Sequence, residues 1–449
     1  MNRIKIYDMP PVPLSSLLAA LDAGELDATL TALGSAGGAP AQRERIKALC
    51  ATFADLYGAD REVILCTVSG RSELSGNHTD HNHGCVIAAS VSLDILAVAS
   101  PRNDGVIRLK SEGFPEDTVI LADCKEPDPA KLGTSSALIA GVCVGLENQG
   151  YTVGGFDACT VSDVFKGSGL SSSAAFEDMV GTIQSHLYNS GRVDEVEIAK
   201  ISQFSENKFF GKPCGLMDQV ACAVGGVVAI DFADPATPVI EALPFDLTAA
   251  GYHLCIVNTG GNHADLTDDY AAVPTEMKAV AAHFGKDVLR EVDEAAVISA
   301  IPVLRETVGD RAILRALHFL SENRRVASQK AALEAAIAAS DVATRDRAVD
   351  KFFEGVLASG RSSFCYLQNV YTTKNVSEQG LSLALCLCEQ ILGGHRAAYR
   401  VHGGGFAGTV QAFVPADLVE TFTATMDAAF GEGATSDLMI RPVGAARIF

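Results

Sequence analysis

FKGSGLSSSAAFEDMVGTIQSHL, Phe165 to Leu187, runs from a glycine turn through three serines into a helix. The strand-like CTVSDV (Cys159 to Val164) precedes it, so the loop joins a strand to a helix. Gly167 and Gly169 open backbone conformations closed to other residues, and their missing side chains let a phosphate approach the main chain. Ser171, Ser172 and Ser173 then start the helix. Its first N–H groups have no intrahelical partner, and its dipole favours an anion. The hydroxyls add donors and could ligate Mg2+. By itself the loop reads equally as a di- or triphosphate cradle and as a serine-capped turn. It is not a Walker A loop, because GxxxxGK[ST] is absent. Ser172 stands where a third glycine would complete GxGxxG, and Ser173 breaks GxSxG.

Outward from this loop the chain alternates strands and helices. VILCTVSG (Val63 to Gly70) reads as a buried strand that runs into the polar GRSELSGNHTDHNHG (Gly70 to Gly84). β-rich runs follow at Cys85 to Ser100 and Val106 to Lys110. Helices fit Gln42 to Tyr57, Ala137 to Gly150 and Val196 to Phe210. The last ends at Gly211 and enters KPCGLMDQ. Further strands are expected at Gly226 to Phe232, Tyr252 to Asn258 and Thr409 to Val414, with helix over much of Thr275 to Asp350 and at Ser382 to Leu392. Residues 1 to about 40 form a preface. Pro10, Pro11 and Pro13 stop regular structure, Ser15 or Ser16 could cap a short helix through Leu21, and GSAGGAPA (Gly34 to Ala41) reads as a linker. The pattern is α+β or mixed α/β.

The chain has 449 residues, enough for two or three domains of about 100–200 residues. The formal charge of −20 argues against nucleic acid or an anionic membrane surface as partner, since both need clustered Lys and Arg. It leaves room for a small anion in a built pocket. The 12 cysteines are scattered and form no CxxC pair, so no zinc ribbon or thioredoxin-like site is supported. No secretory signal opens the chain, and runs such as Val220 to Ile230 fall short of the ~20 residues that span a bilayer. The expectation is a cytoplasmic protein in a reducing compartment.

Three further features carry chemistry. Gly403 to Gly408 matches GxGxxG, but a strand-like TVQAFV follows where a dinucleotide fold needs a helix. It reads as a glycine loop beside another phosphate or backbone element. The cluster His78, Thr79, Asp80, His81, Asn82, His83 lacks a companion ligand group for zinc and suits hydroxyl recognition on a polyhydroxylated ligand. Asp218 lies in an apolar run and needs a partner if buried. Arg71 would keep it ionised, ready to orient or deprotonate a hydroxyl. Glu206 precedes it on the preceding helix. Carboxylate and serine hydroxyl together suit a Mg2+–nucleotide.

Together GRSELSGNHTDHNHG, KGSGLSSSAA (Lys166 to Ala175), ENKFFGKPCGLMDQ (Glu206 to Gln219) and HGGGFAG (His402 to Gly408) resemble the GHMP kinases and, within them, the galactokinases. The resemblance spans roughly residues 45 to 449. It implies an α+β, two-domain GHMP kinase fold, with an N-terminal domain like ribosomal protein S5 domain 2, an α+β C-terminal domain and the site in the cleft between them. The expected division is an extension over 1–44, an N-terminal domain over 45–240 and a C-terminal domain over 241–449. Asp218 then matches the catalytic Asp and Arg71 its partner. Ser172 and Glu206 match the Mg2+ ligands. Gly167, Ser168, Gly169, Leu170, Ser171, Ser172 and Ser173 match the ATP loop. Asn77, His78, Asp80, Gly215 and Tyr270 match the sugar-contacting positions, and Gly403, Gly404 and Gly405 the glycine loop near the site. The implied reaction is ATP-dependent phosphorylation of D-galactose at its C1 hydroxyl. The implied partners are only a sugar and ATP, with no nucleic acid or membrane, in a monomer or weak oligomer.

The chain departs from the family at Glu73, usually Asn, and at Asn77, usually Glu. It departs also at His81, at Phe165 in place of Pro, and in lacking the Arg-Arg pair that commonly follows the Tyr. The loss of an acid at Asn77 keeps galactosamine, N-acetylgalactosamine, arabinose or a uronic acid open as substrate. A non-catalytic galactose and ATP sensor is the remaining alternative.

Overall fold

The strand Glu62–Ser75 is buried from Val63 onward, as its β-branched and apolar first half requires. It pairs antiparallel with Cys85–Arg102, which pairs in turn with Gly155–Ser162 and Val227–Asp231. The structure, a computed structural model, describes residues 9–34, 37–164, 170–212, 214–261 and 266–449. Among these, nine strands form one mixed sheet and four form a second, antiparallel sheet. The chain is a mixed α+β protein.

Register shifts fall between Ser69 and Arg71 and between Glu73 and Ser75. Such bulges bend a strand and re-aim its side chains. Here the bend brings the Arg71 N–H to the Leu170 carbonyl at 3.1 Å, at the end of the serine loop. A Cβ on Gly70 would press on that same carbonyl, so glycine permits the approach. On one face of the large sheet lie the helices Ser135–Asn148, Ser172–Tyr188, Glu195–Ser205 and Met217–Val224, sharing one core with it. The helices Leu14–Ala23 and Gly38–Tyr57 cover its other face with a separate apolar cluster that includes Leu17, Phe53, Leu65 and Val98.

In the second sheet Tyr252–Asn258 alternates strictly. Leu254 and Ile256 join the central core, while Cys255 and Val257 face a cluster with Leu381, Cys388 and Phe422. The helix Glu195–Ser205 ends in a widely wound turn, Glu206–Phe210, in which the Glu206 carbonyl accepts from the Gly211 N–H five residues on. Val342–Ser362 ends likewise in Ser363–Leu367, where the Ser363 carbonyl accepts from the Gln368 N–H. Wide turns of this kind concentrate at functional sites.

The structure redraws parts of the expected layout. The boundary at residue 44 falls inside the helix Gly38–Tyr57, so the extension is continuous with the first domain. The expected linker to Ala41 is shorter than read, because Gly38 already opens that helix. Pro13, not a serine, stands at the N-cap of the first helix. Near 240 the strand Val239–Leu243 still belongs to the large sheet, and Ala446–Arg447 returns to pair with Glu62–Ser75. Strand pairing, which composition does not report, decides these points. The strands Glu116–Ile120, Ala398–Val401 and Thr435–Leu438 were not expected.

Candidate active site

Arg71 and Asp218 form a bidentate pair. The guanidinium donates through Nε to Asp218 Oδ1 at 2.7 Å and through a terminal nitrogen to Oδ2 at 2.8 Å. Asp218 occupies the first turn of Met217–Val224, where the helix dipole favours its charge. The Ser171 hydroxyl donates to Asp218 Oδ2. Burial pushes the carboxyl up, but Arg71 and the Ser171 hydroxyl outweigh it and hold the group below its ordinary range. Asp218 keeps 32% of its side chain open to solvent, so a ligand can reach it.

Ser171 sits at φ 59°, in the left-handed region, and its side chain does not cap the helix that follows. The reading of the three serines as an ordinary cap is therefore set aside: this hydroxyl is turned onto Asp218. The adjoining cluster centres on Glu206, which is buried. Its carboxylate accepts from Ser173 Oγ (3.1 Å), Lys212 Nζ (2.9 Å) and Gln219 Nε2 (2.9 Å). The hydroxyl that meets Glu206 is that of Ser173, not the expected Ser172. Successive helical residues point about 100° apart, so only one of the two faces the carboxylate. Gly167, Ser168 and Gly169 of the expected ATP loop lie outside the described residues; Leu170 is buried behind Arg71.

Across from this cluster, His78 sits at φ 58° and donates from Nε2 to the Gly404 carbonyl at 2.9 Å. Burial lowers its pKa to about 4, so it is neutral at pH 7. Asp80 begins the short turn Asp80–Asn82. A Cβ on Gly215 would overlap Asp80 Oδ2, which explains the glycine in KPCGLMDQ. Tyr270 donates to the Gly405 carbonyl at 2.8 Å, lies against Gly404, and meets Phe406 edge to face at 5.4 Å. Gly405 lies at φ 78°, and a Cβ there would overlap the Asn369 carbonyl. The glycine loop Gly403, Gly404, Gly405 thus joins His78 to Tyr270.

Asn77 departs from expectation. It is fully buried, and protein groups meet both ends of its amide. Its Nδ2 donates to Gly403 O at 2.7 Å and Glu73 Oε1 at 3.2 Å; its Oδ1 accepts from Asn369 Nδ2 at 2.8 Å and Ser363 Oγ at 3.2 Å. With its hydrogen-bonding capacity turned inward, Asn77 braces the glycine loop and does not offer itself to a sugar. Glu73, beside it, pairs with Arg400 at 2.5 Å. Behind both, His402 accepts at Nε2 from the Ser72 hydroxyl (3.1 Å), and its Nδ1 lies 2.9 Å from Thr409 Oγ1.

Sequence reading missed Lys212, Gln219, Asn369, Arg400 and His402 as members of this constellation, and it placed Ser173 in the ATP loop without its contact to Glu206. Lys212 and Gln219 lay inside the motif already quoted, and a cation beside a buried-acid motif was the available signal. Asn369 gave none. Among the described residues no three or more His, Cys, Asp or Glu gather around a common metal position.

Residues 138–226 match the profile of the GHMP kinases N terminal domain, and residues 51–101 that of the galactokinase galactose-binding signature. A galactokinase of Streptomyces coelicolor is 31% identical over 84% of this chain and 91% of its own length. The chain belongs to the galactokinase family. A galactokinase of Lactococcus lactis is 29% identical over 84% of this chain and 89% of its own length. The crystal structure of Lactococcus lactis galactokinase complexed with galactose superposes with a TM-score of 0.74 at 25% identity, covering 90% of this chain and all of that one. A mevalonate kinase crystal structure, 13% identical with a TM-score of 0.58, covers 84% of this chain and 99% of its own and shares the fold. Among the described residues no helix is long and apolar enough to cross a membrane.

Proposed function

We propose that this galactokinase-family chain transfers the γ-phosphoryl group of ATP to the C1 hydroxyl of D-galactose, giving galactose 1-phosphate and ADP. The observation that carries this reading is the bidentate Arg71–Asp218 pair, with the Ser171 hydroxyl on the same carboxylate. The ionised Asp218 accepts the C1 hydroxyl proton as the sugar oxygen bonds to the γ-phosphorus. The bond from that phosphorus to the bridging oxygen breaks, and its electron pair leaves with ADP. Arg71 stabilises the charge that builds on the transferred group. Positioning and electrostatics supply most of the acceleration in phosphoryl transfer.

Glu206 and Ser173, the carboxylate and hydroxyl that meet at 3.1 Å, suit a hard cation that takes oxygen ligands. Phosphate oxygens and waters would complete the shell, so a gathering of three acidic or histidine ligands is not required. When bound there, Mg2+ neutralises phosphate charge. The uncapped start of Ser172–Tyr188 supports phosphate binding by backbone N–H groups. His78, Asp80 and Tyr270, with Gly215 giving clearance, would face the sugar. Because Asn77 is turned inward, a related sugar differing on that side of the ring is the second reading. The twelve unpaired cysteines favour a reducing cytoplasm. We expect a monomer or weak oligomer with no nucleic-acid or membrane partner.

The test is ADP release with MgATP and a panel of galactose, galactosamine, N-acetylgalactosamine, arabinose and galacturonate. Galactose should give the highest kcat/KM, and Asp218→Asn should lower kcat by about 10²–10⁴-fold. Near-normal turnover in that variant would overturn the assignment; preference for another sugar would select the second reading.

A further inference from the structure

The Glu206 cluster holds a cation that none of the roles above uses. Lys212 Nζ lies 2.9 Å from Glu206 Oε1, yet 61% of the Lys212 side chain is exposed while Glu206 is only 2% exposed. The ammonium therefore stands at the mouth of the site, with one side on a buried carboxylate and the other toward solvent. This differs from a surface ion pair, where both partners are hydrated and interchangeable. Glu206 already accepts from Ser173 and Gln219, so its hydrogen-bonding needs are met from within.

The balance of charge gives the lysine its purpose. Asp218 is ionised beside Arg71, and Glu206 stands beside Lys212. Burial, with the nearby Glu206 charge, holds Glu177 above the usual carboxylate range, and burial does the same for Asp178. Lys212 offsets Glu206 as Arg71 offsets Asp218. Without it the corner is net negative and repels a polyphosphate. Backbone geometry suits a movable contact. The Lys212 N–H is pinned to the Glu206 carbonyl at 3.1 Å, just after Gly211 at φ 83°, while most of its side chain is exposed. Lysine is a compact point charge that binds phosphate without a fixed geometry.

We propose that Lys212 is a phosphate-binding residue of the nucleotide site, resting on Glu206 when the site is empty and turning its ammonium onto the terminal phosphates of ATP when they arrive. This rests on the reading that ATP binds between the serine loop and Asp218.

The experiment measures binding of ATP, ADP and AMP by calorimetry, without sugar and in EDTA, so that neither turnover nor metal ligation is read. Wild type is compared with Lys212→Met and Lys212→Arg at two salt concentrations. Lys212→Met should weaken ATP by about tenfold, ADP less and AMP hardly at all, and should flatten the salt dependence of ATP binding. Lys212→Arg should stay within about threefold of wild type, since the charge is kept. Unchanged ATP affinity in Lys212→Met, with or without a lower Tm, would assign the lysine to neutralising Glu206 alone and overturn the proposal. A loss no greater for ATP than for AMP would overturn it too. Wild type that binds no nucleotide would instead overturn the functional reading beneath it.

Discussion

Asp218 is charged because three distant segments meet on it: a strand bulge brings Arg71, a left-handed residue brings the Ser171 hydroxyl, and a helix start holds the carboxyl itself. Asn77 shows the opposite case, a polar residue consumed by its surroundings. Its amide lies between Glu73, Gly403 and Asn369 with no exposed surface. Replacing it by Glu would set a second buried carboxylate beside Glu73 and remove the donor to Gly403. The expected cost is about 3 kcal/mol or more, read as a lower Tm or urea midpoint. The double exchange Glu73→Asn with Asn77→Glu should recover part of that loss, because it removes the like-charge contact; a double-mutant cycle measures the coupling. Asp218 and Arg71 were legible in the sequence because an isolated acid in an apolar run demands a cation. The inward turn of Asn77 was not. Whether an amide faces ligand or protein depends on Asn369 and Ser363, nearly 300 positions away by chain.

Among elements, the short link between Phe210 and Met217 does the most positioning. It carries Lys212 toward Glu206 and leaves Gly215 without a side chain against Asp80. Gly215 does not have a positive φ, so alanine fits the backbone and the added methyl acts on Asp80 alone. Gly215→Ala should raise the KM for galactose on the order of tenfold while leaving the KM for ATP and the Tm nearly unchanged. Equal effects on both substrates would mean that the link itself has shifted. Element positions were well legible where periodicity was strong. Tyr252–Asn258 was expected with those limits, and the helix Ser172–Tyr188 to within two residues. Short edge strands such as Thr435–Leu438 were not legible, since four residues with one buried side chain carry no period.

Across the whole molecule, three buried histidines brace the surroundings of the site: His78 meets Gly404, His318 meets Asn77 and Ser362, and His402 meets Ser72 and Thr409. Burial depresses His78, His318 and His402, the last also through Arg71 and Arg400. A histidine whose pKa is lower in the fold than in the unfolded chain contributes stability above about pH 6.5 that is lost as pH falls toward its folded value. Glu177 and Asp178, raised in the fold, change stability in the opposite sense. The histidine effect is therefore best read as a difference: between pH 7.5 and 5.5 the Tm of wild type should fall further than that of His402→Gln. A gap that stays constant over that range would mean His402 already carries a proton. The division into an extension and two domains was legible only in outline, because the last strand returns to the first sheet and the first helices cover it. One consequence concerns chain length. The two widely wound turns, Glu206–Phe210 and Ser363–Leu367, each hold one more residue per hydrogen-bonded ring than an ordinary helix. Such a turn takes up one extra residue in about the arc that an ordinary helix covers with four, so loss of a single residue from either would close the widened ring and leave the flanking side chains nearly in phase. A one-residue deletion there thus separates two roles, since it alters the widened backbone beside Glu206 and Ser363 while the helices keep their facing.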